Sequence, residues 1–268
     1  MAKSIGDSVV WITGGGSGIG RALAIEFGRR GCQVAVSGRR LERLEAVVTD
    51  IVSAGGTAIA VECDVTRDES VVGAVERVKT EFGRLDVAVA NAGFGVGGGF
   101  EEITSEQWRA QLNTNVVGVA ATLRYALPSL KEVAGRAAVV SSVMGKFCLA
   151  GSAPYCASKH ALMALCNCLR QELHGTEVTL TNLLPGLVDS EIFQIDNDGV
   201  RHENWGDRRP RRFKWPADRA AKVMADAIES RRSEFTFTGH GRLLGFLGQH
   251  APRPLYWAMT RGGAKNVK

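Results

Sequence analysis

The sequence predicts an α/β fold: one doubly wound domain whose parallel sheet of about seven strands is covered by helices on both faces. Three observations carry this reading. Short β-branched runs alternate along the chain with stretches whose apolar residues recur every three or four positions. The runs are nearly continuously apolar, as strands buried on both faces are. A glycine-rich turn follows the first run directly, where a strand hands over to a helix.

The elements follow in order. The first run, Val9–Ile12, leads into TGGGSGIGRAL, Thr13 to Leu23. The second and third runs are Gln33–Ser37 and Ala58–Glu62. A helix carrying Val71, Val75, Val78 and Phe82 follows, with Thr66 and Glu69 at capping-box spacing before it. Leu85–Ala90 is the fourth run, and the next helix opens at Thr104 with Gln107 and passes through Trp108, Leu112 and Asn115. Ala137–Ser141 precedes a small-residue helix around Tyr155, and Val178–Leu183 is the sixth run. Strands separated by helices require right-handed crossovers and parallel pairing. No repeat, low-complexity tract or linker divides the chain. Residues 1–268 are therefore expected to form a single domain, with a loop region at 185–216 and a C-terminal extension at 240–268.

Composition narrows the function classes. Hydrophobic residues make up 45% and charged residues 23%, as in a soluble globular protein. The formal charge of +5 suits an anionic cofactor or a membrane surface, but 33 Lys+Arg against 28 Asp+Glu is too even for a nucleic-acid binder. No run approaches the roughly 18 apolar residues of a spanning helix, and MAKSIGDSVVWITGGG lacks a signal-peptide pattern, so a cytoplasmic location is expected. Cys32, Cys63, Cys148, Cys156, Cys166 and Cys168 show no CxxC spacing. They read as small buried hydrophobes in a reducing compartment, and no metal is expected.

The glycine turn points to a dinucleotide. A strand, a Gly-rich turn and a helix together aim backbone N–H groups and the positive helix end at a pyrophosphate, the Rossmann arrangement. Gly14 permits the tight turn, Gly18 lets phosphates approach the backbone, and Gly20 lets helix and strand pack closely. An acidic residue is expected at the end of the second strand to hold the ribose 2′-hydroxyl. Ser37 or Gly38 stands there, followed by Arg39 and Arg40. No carboxylate repels a 2′-phosphate, and a guanidinium is available to bind one. NADP(H) is thus the expected cofactor. The alternative is a solvated turn whose arginines pair with Glu42 or Glu45.

Taken together, these residues resemble the short-chain dehydrogenase/reductase family over residues 8–240. Thr13–Gly20 is similar to its coenzyme loop, with Ser17 and Ile19 among the glycines. Cys63-Asp64-Val65 is similar to its adenine-contacting strand end. Asn91-Ala92-Gly93 is similar to its Asn-Asn-Ala-Gly element, with Ala90 in the first position. Asn115, Ser142, Tyr155 and Lys159 match its catalytic set, and Pro185-Gly186, with Val188 beyond, its segment over the nicotinamide. The resemblance implies an oxidoreductase that uses a nicotinamide cofactor on a carbonyl or secondary alcohol. It also implies a homodimer or homotetramer.

The chemistry of the matched residues supports that implication. Residues four apart lie on one helix face, so Tyr155 and Lys159 present phenol and ammonium to one cleft. A free tyrosine has a pKa near 10, and a nearby cation lowers it toward the range useful for a general acid. Ser142, at the end of its strand, is placed to donate to a substrate carbonyl oxygen; Ser141 is the lesser candidate. In the family, the lysine also holds the nicotinamide ribose and the asparagine holds a water that relays protons to it.

Beyond Pro185-Gly186, Asp189 and Ser190 stand where relatives carry a threonine that touches the carboxamide. Arg208, Arg209, Arg211, Arg212 and Lys214 form a basic cluster, read as a solvated loop or as a lid facing an anionic substrate. The tail holds two apolar blocks, Leu243, Leu244, Phe246, Leu247 and Leu255, Tyr256, Trp257, Met259, flanked by Arg242, Arg253, Arg261 and Lys265. It fits a substrate pocket or partner subunit, the preferred readings, or a peripheral membrane contact that admits a lipophilic substrate. Two other readings of the whole are a nonenzymatic NADP-binding regulator and an NAD-dependent alcohol dehydrogenase.

Overall fold

Seven short strands line up in one sheet. They are β1 (Val9–Thr13), β2 (Gln33–Gly38), β3 (Thr57–Glu62), β4 (Val87–Ala90), β5 (Arg136–Val140), β6 (Thr179–Leu184) and β7 (Glu234–Thr236). The sheet is fully buried at its centre in β1, β4 and β5 and partly exposed toward its edges in β3 and β7. The computed structural model describes residues 5–200, 202, 204–205 and 213–263. The strand order is β3-β2-β1-β4-β5-β6-β7, and every neighbouring pair is parallel. The order reverses between β1 and β4, which opens a crevice at the carboxyl ends of these strands.

Side-chain alternation divides the core into two layers. Val10 and Ile12 of β1 face Leu23 and Phe27 of α1 (Gly18–Arg29), Val47 and Ile51 of α2 (Leu41–Ser53), and Met224 and Ile228 of α7 (Ala217–Glu229). Val9 and Trp11 face the other way. They pack with Val71 and Val75 of α3 (Asp68–Phe82), Leu123 and Leu130 of α5 (Gly118–Glu132), and Leu162 and Cys166 of α6 (Ala153–Glu172). Each fully buried aliphatic side chain stabilises the fold by about 1.5–3 kcal/mol relative to its exposed state. These helices therefore stay pinned to the sheet and hold its carboxyl edge in place.

Local chemistry corrects several expectations. Thr66 and Glu69 do not form a capping box: Thr66 donates its hydroxyl to Asp64 Oδ1 at 2.7 Å, Glu69 pairs with Arg67, and the helix begins at Asp68. Thr104 and Gln107 do cap α4 (Ser105–Leu112) reciprocally. The fourth strand starts at Val87 rather than Leu85; just before it, Asp86 turns its carboxylate to the Val9 N–H and the Arg84 guanidinium. Asn115 sits in a one-turn π-helix, Asn113–Val117, between α4 and α5. Cys148 and Cys168 are exposed rather than buried, and all six cysteines are free.

The tail forms α8 (Gly239–His250) and α9 (Pro252–Gly263). Both pack on residues 143–148 through Val143, Phe147, Leu184 and Leu255. Among the described residues no helix is long and apolar enough to cross a membrane. Of the basic cluster, Arg208, Arg209, Arg211 and Arg212 lie outside the described residues; Lys214 stands 4.0 Å from Asp189.

Candidate active site

The glycine turn is locked from below. Asn91, just past β4, donates its amide to the carbonyls of Thr13 (2.9 Å) and Gly14 (3.0 Å), and Thr13 Oγ1 accepts from the Asn91 N–H at 3.1 Å. A Cβ on Gly20 would sit 2.2 Å from the Gly14 carbonyl oxygen, and one on Gly14 would sit 2.8 Å from Ala92 Cα. Gly14 and Gly18 have φ of +65° and +50°, the left-handed region that glycine enters without strain. Ser17 precedes α1 without capping it by a side-chain hydrogen bond, so the first N–H groups of that helix remain for a ligand. Ile19, at the second position of α1, is half-buried against the core. A crowded, side-chain-free cradle at a helix N-terminus fits a dinucleotide pyrophosphate.

The end of β2 is built differently from an acidic ribose clamp. Trp11 Nε1 donates to Ser37 Oγ at 2.7 Å, and both side chains are fully buried. Ser37 is thereby fixed as a core residue. Arg39 and Arg40 follow on the surface, and no ion pair among the described residues engages either. Neither Glu42 nor Glu45 pairs with them. Across the sheet edge, burial raises the Asp64 pKa, but hydrogen bonds from Thr66 and the charges of Arg39 and Arg67 hold it below its ordinary value. Val65 is buried, packed where α5 begins with Gly118.

The predicted catalytic residues come from three segments. Ser142 follows β5, 6% exposed, and its Oγ accepts from the Met144 N–H at 3.1 Å, leaving its O–H to donate. The adjacent Ser141 is deeper, and its Oγ has no partner among the described residues. Tyr155 and Lys159 stand one turn apart near the start of α6, with Lys159 Nζ 5.5 Å from the centre of the Tyr155 ring. Lys159 Nζ donates to the Val140 carbonyl at 3.1 Å, and burial lowers its pKa to about 8.

Asn115 has a different job from gripping a ligand with its amide. Its Oδ1 accepts from the Phe94 N–H at 3.1 Å, and its Nδ2 donates to the Phe94 carbonyl at 2.9 Å and to Ser158 Oγ at 3.4 Å. Ser158 in turn donates to the Tyr155 carbonyl at 2.7 Å. The loop after β4 is thus tied to the helix that carries the tyrosine. Gly93 makes this approach possible, since a Cβ there would lie 3.1 Å from Asn115 Oδ1.

Two contributors escaped the sequence reading. Gln111, one turn before Asn115 and fully buried, accepts from the Val96 N–H at 2.6 Å and donates to the Phe94 carbonyl at 2.8 Å. Its signal was a second amide on the same helix face as Asn115. His240 is the other. The Leu187 N–H donates to His240 Nε2 at 3.1 Å, and a Cβ on Gly186 would lie 2.2 Å from Thr238 Oγ1 and 2.7 Å from His240 Nε2. The Pro185 carbonyl accepts from the Val143 N–H at 3.0 Å, and Val188 pairs with Trp215 in an isolated bridge. Residues 185–190 therefore run from the Ser142 turn to the glycine turn, where a Cβ on Gly18 would lie 3.3 Å from Ser190 Cβ. Only the fold reveals that the first turn of α8 holds this segment.

A sequence model described as short chain dehydrogenase matches residues 8–200. The chain belongs to the short chain dehydrogenase family. An oxidoreductase of Myxococcus xanthus is 35% identical over 251 residues, 93% of this chain and 95% of that protein. Two solved structures to which the chain is similar hold dinucleotides. A short chain dehydrogenase/reductase from Burkholderia phymatum in complex with NAD superposes with a TM-score of 0.79 at 26% identity, over 87% of this chain and 89% of that one. An alcohol dehydrogenase from Thermococcus sibiricus complexed with 5-hydroxy-NADP gives 0.76 at 28% identity, over 86% and 96%. As a short chain dehydrogenase, the protein is an oxidoreductase, and its seven-stranded sheet is the one these neighbours share.

Proposed function

We propose that this protein is an NADP(H)-dependent oxidoreductase acting between the carbonyl and secondary-alcohol forms of a medium-sized or lipophilic substrate, folded as one nucleotide-binding domain. The observation that carries the reading is the Tyr155–Lys159 pair, with the ammonium 5.5 Å from the phenol ring on one helix face. When bound, a nicotinamide dinucleotide supplies or accepts the hydride. The residues that would hold it are Gly14, Ser17, Gly18, Ile19 and Gly20 at the phosphates, and Asp64 and Val65 at the adenine. Asn91, Ala92 and Gly93, together with Pro185, Gly186 and Val188, would lie along the nicotinamide half, with Tyr155 and Lys159 at its ribose. Arg39 and Arg40 would take the 2′-phosphate.

The chain's own groups handle the proton. Tyr155 Oη donates it to the substrate oxygen in reduction and takes it back in oxidation. The Lys159 cation favours the phenolate left behind. Ser142 Oγ donates to the same substrate oxygen and stabilises the charge that develops there. Asn115, through Phe94 and Ser158, orients the tyrosine-bearing helix, and a water beside it would return protons toward Lys159. Ala157, Ala164 and Cys168 on the solvent side of α6, with Val117 before α5, offer the faces for a homodimer or homotetramer in the cytoplasm.

The competing NAD-dependent reading draws on the Asp64 carboxylate, whose pKa the nearby Arg39 charge helps to lower, standing close to where the 2′-phosphate would sit. Oxidation of NADPH and of NADH, measured across small aldehydes, aromatic ketones, steroids and fatty acyl carbonyls, separates them. Faster turnover with NADPH supports the proposal; preference for NADH overturns the role given to Arg39 and Arg40. NADPH binding without turnover on any carbonyl favours the regulator.

A further inference from the structure

The five positive charges by which bases exceed acids are not spread over the molecule. Residues 239–268 contain Arg242, Arg253, Arg261, Lys265 and Lys268 and no Asp or Glu, while the other 238 residues carry 28 Lys and Arg against all 28 Asp and Glu. The body is formally neutral; Arg242, Arg253 and Arg261 of the excess lie on α8 and α9, while Lys265 and Lys268 follow outside the described residues.

That segment has two unlike sides. Its inner side is built into the fold: Leu255 is 8% exposed, and Leu247 and Met259 pack with Val143, Phe147 and Leu184. Tyr256 Oη accepts from the Cys148 N–H at 3.1 Å, and Gly248 lies so close to Lys146 that a Cβ would overlap its carbonyl. The outer side is apolar and basic. Leu243 and Phe246 of α8 are each 60% exposed, and Trp257 of α9 is 58% exposed. Arg253, Trp257 and Arg261 succeed one another at four-residue intervals, along one line of α9. The Arg261 guanidinium lies 4.2 Å over the Trp257 ring.

We infer that the outer side of α8 and α9 seats the protein on an anionic lipid surface. The unbalanced basic charge favours an anionic partner. A second copy of this chain offers a neutral body and an equally basic tail, so it does not complement the face. Exposed Leu243, Phe246 and Trp257 need an apolar medium as well as negative charge, and the headgroup region of an anionic leaflet provides both. Tryptophan and arginine are the side chains that settle at that depth, ring inward and guanidinium toward phosphate. The contact is peripheral. α8 also carries His240, which holds residues 185–187, so a seated molecule keeps the edge of its candidate site near the lipid. The inference does not depend on which cofactor or carbonyl the site takes.

The test is flotation of the full-length protein with phosphatidylcholine vesicles, with and without phosphatidylserine. Wild type is expected to float only with the anionic vesicles and to be released by salt. The variant Leu243→Ser/Phe246→Ser/Trp257→Ser should lose binding, and Arg242→Gln/Arg253→Gln/Arg261→Gln should weaken it about a hundredfold. Both variants should keep wild-type circular dichroism and NADPH affinity, which separates lost docking from lost folding. Quenching by brominated lipid should disappear in Trp257→Phe. Equal flotation with both vesicle types, no flotation of wild type, or undiminished flotation of both triple variants overturns the inference. Retention by polyglutamate in place of lipid would assign the face to an acidic protein. A concentration-dependent dimer lost in the Leu243→Ser/Phe246→Ser/Trp257→Ser variant would assign it to a second copy. Either result also overturns the lipid assignment.

Discussion

Lys159 Nζ donates to the Val140 carbonyl at 3.1 Å and lies 5.5 Å from the centre of the Tyr155 ring, so one buried ammonium is tied to the strand end and stands beside the tyrosine. Burial lowers its pKa from 10.5 to about 8. A depressed folded-state value for a base means that the unfolded chain binds more protons across that interval. Stability of the cofactor-free protein should therefore rise as pH goes from about 8 toward 10.5, where the folded lysine is neutral and the unfolded one still charged. Denaturant unfolding over that range checks this, and Lys159→Met should flatten the slope. The same variant removes the cation beside the phenol and should lower turnover about 10²–10⁴-fold.

Ser142 has one lone pair engaged by Met144 and its O–H left to donate. Ser142→Ala should lower kcat about 10²–10³-fold with little change in cofactor affinity. Ser141→Ala removes a buried hydroxyl that has no partner among the described residues, so it should leave activity and stability nearly unchanged. Steady-state kinetics on the two variants, side by side, distinguish the neighbours.

His240 accepts from the Leu187 N–H only while Nε2 is unprotonated. Burial lowers its pKa below the ordinary 6.5, so the contact persists at neutral pH and is lost only below that range. Phe213, Thr238 and Gly186 surround the ring, and none of them is charged. His240→Phe leaves a backbone donor unpaired and should raise the cofactor dissociation constant about tenfold while kcat at saturation changes less. Titrations monitored by NADPH fluorescence read this directly.

Arg39 and Arg40 stand beside a serine that is fixed by Trp11. Arg39→Ala/Arg40→Ala should weaken NADPH binding about 10–100-fold and leave NADH nearly untouched. Loss of affinity for both cofactors alike would mean that the arginines support the turn rather than read the phosphate.

How far the sequence speaks depends on the kind of contact. β1, the glycine turn and α1 are legible because a strand, left-handed glycines and a helix follow one another locally. The Tyr155–Lys159 pair is legible for the same reason, since four residues make one turn. Thr104 and Gln107 announced their cap correctly, whereas Thr66 and Glu69 had the same spacing and failed. Asp64 and Arg67 outcompeted that box for its side chains, a contest that spacing does not register. β7 was not placed, because three residues with an exposed Glu234 make no apolar run. His240 and Gln111 were invisible in their roles because their partners lie 53 and 15 residues away. The π-turn at Asn113–Val117 likewise has no compositional mark; it places Asn115 against Phe94 and Ser158.

The most direct test of the central claim pairs kcat for carbonyl reduction with the NADPH dissociation constant in Tyr155→Phe. Proton donation through Tyr155 Oη predicts a fall in kcat of about 10²–10⁴-fold with NADPH affinity retained. Undiminished turnover in that variant would contradict it.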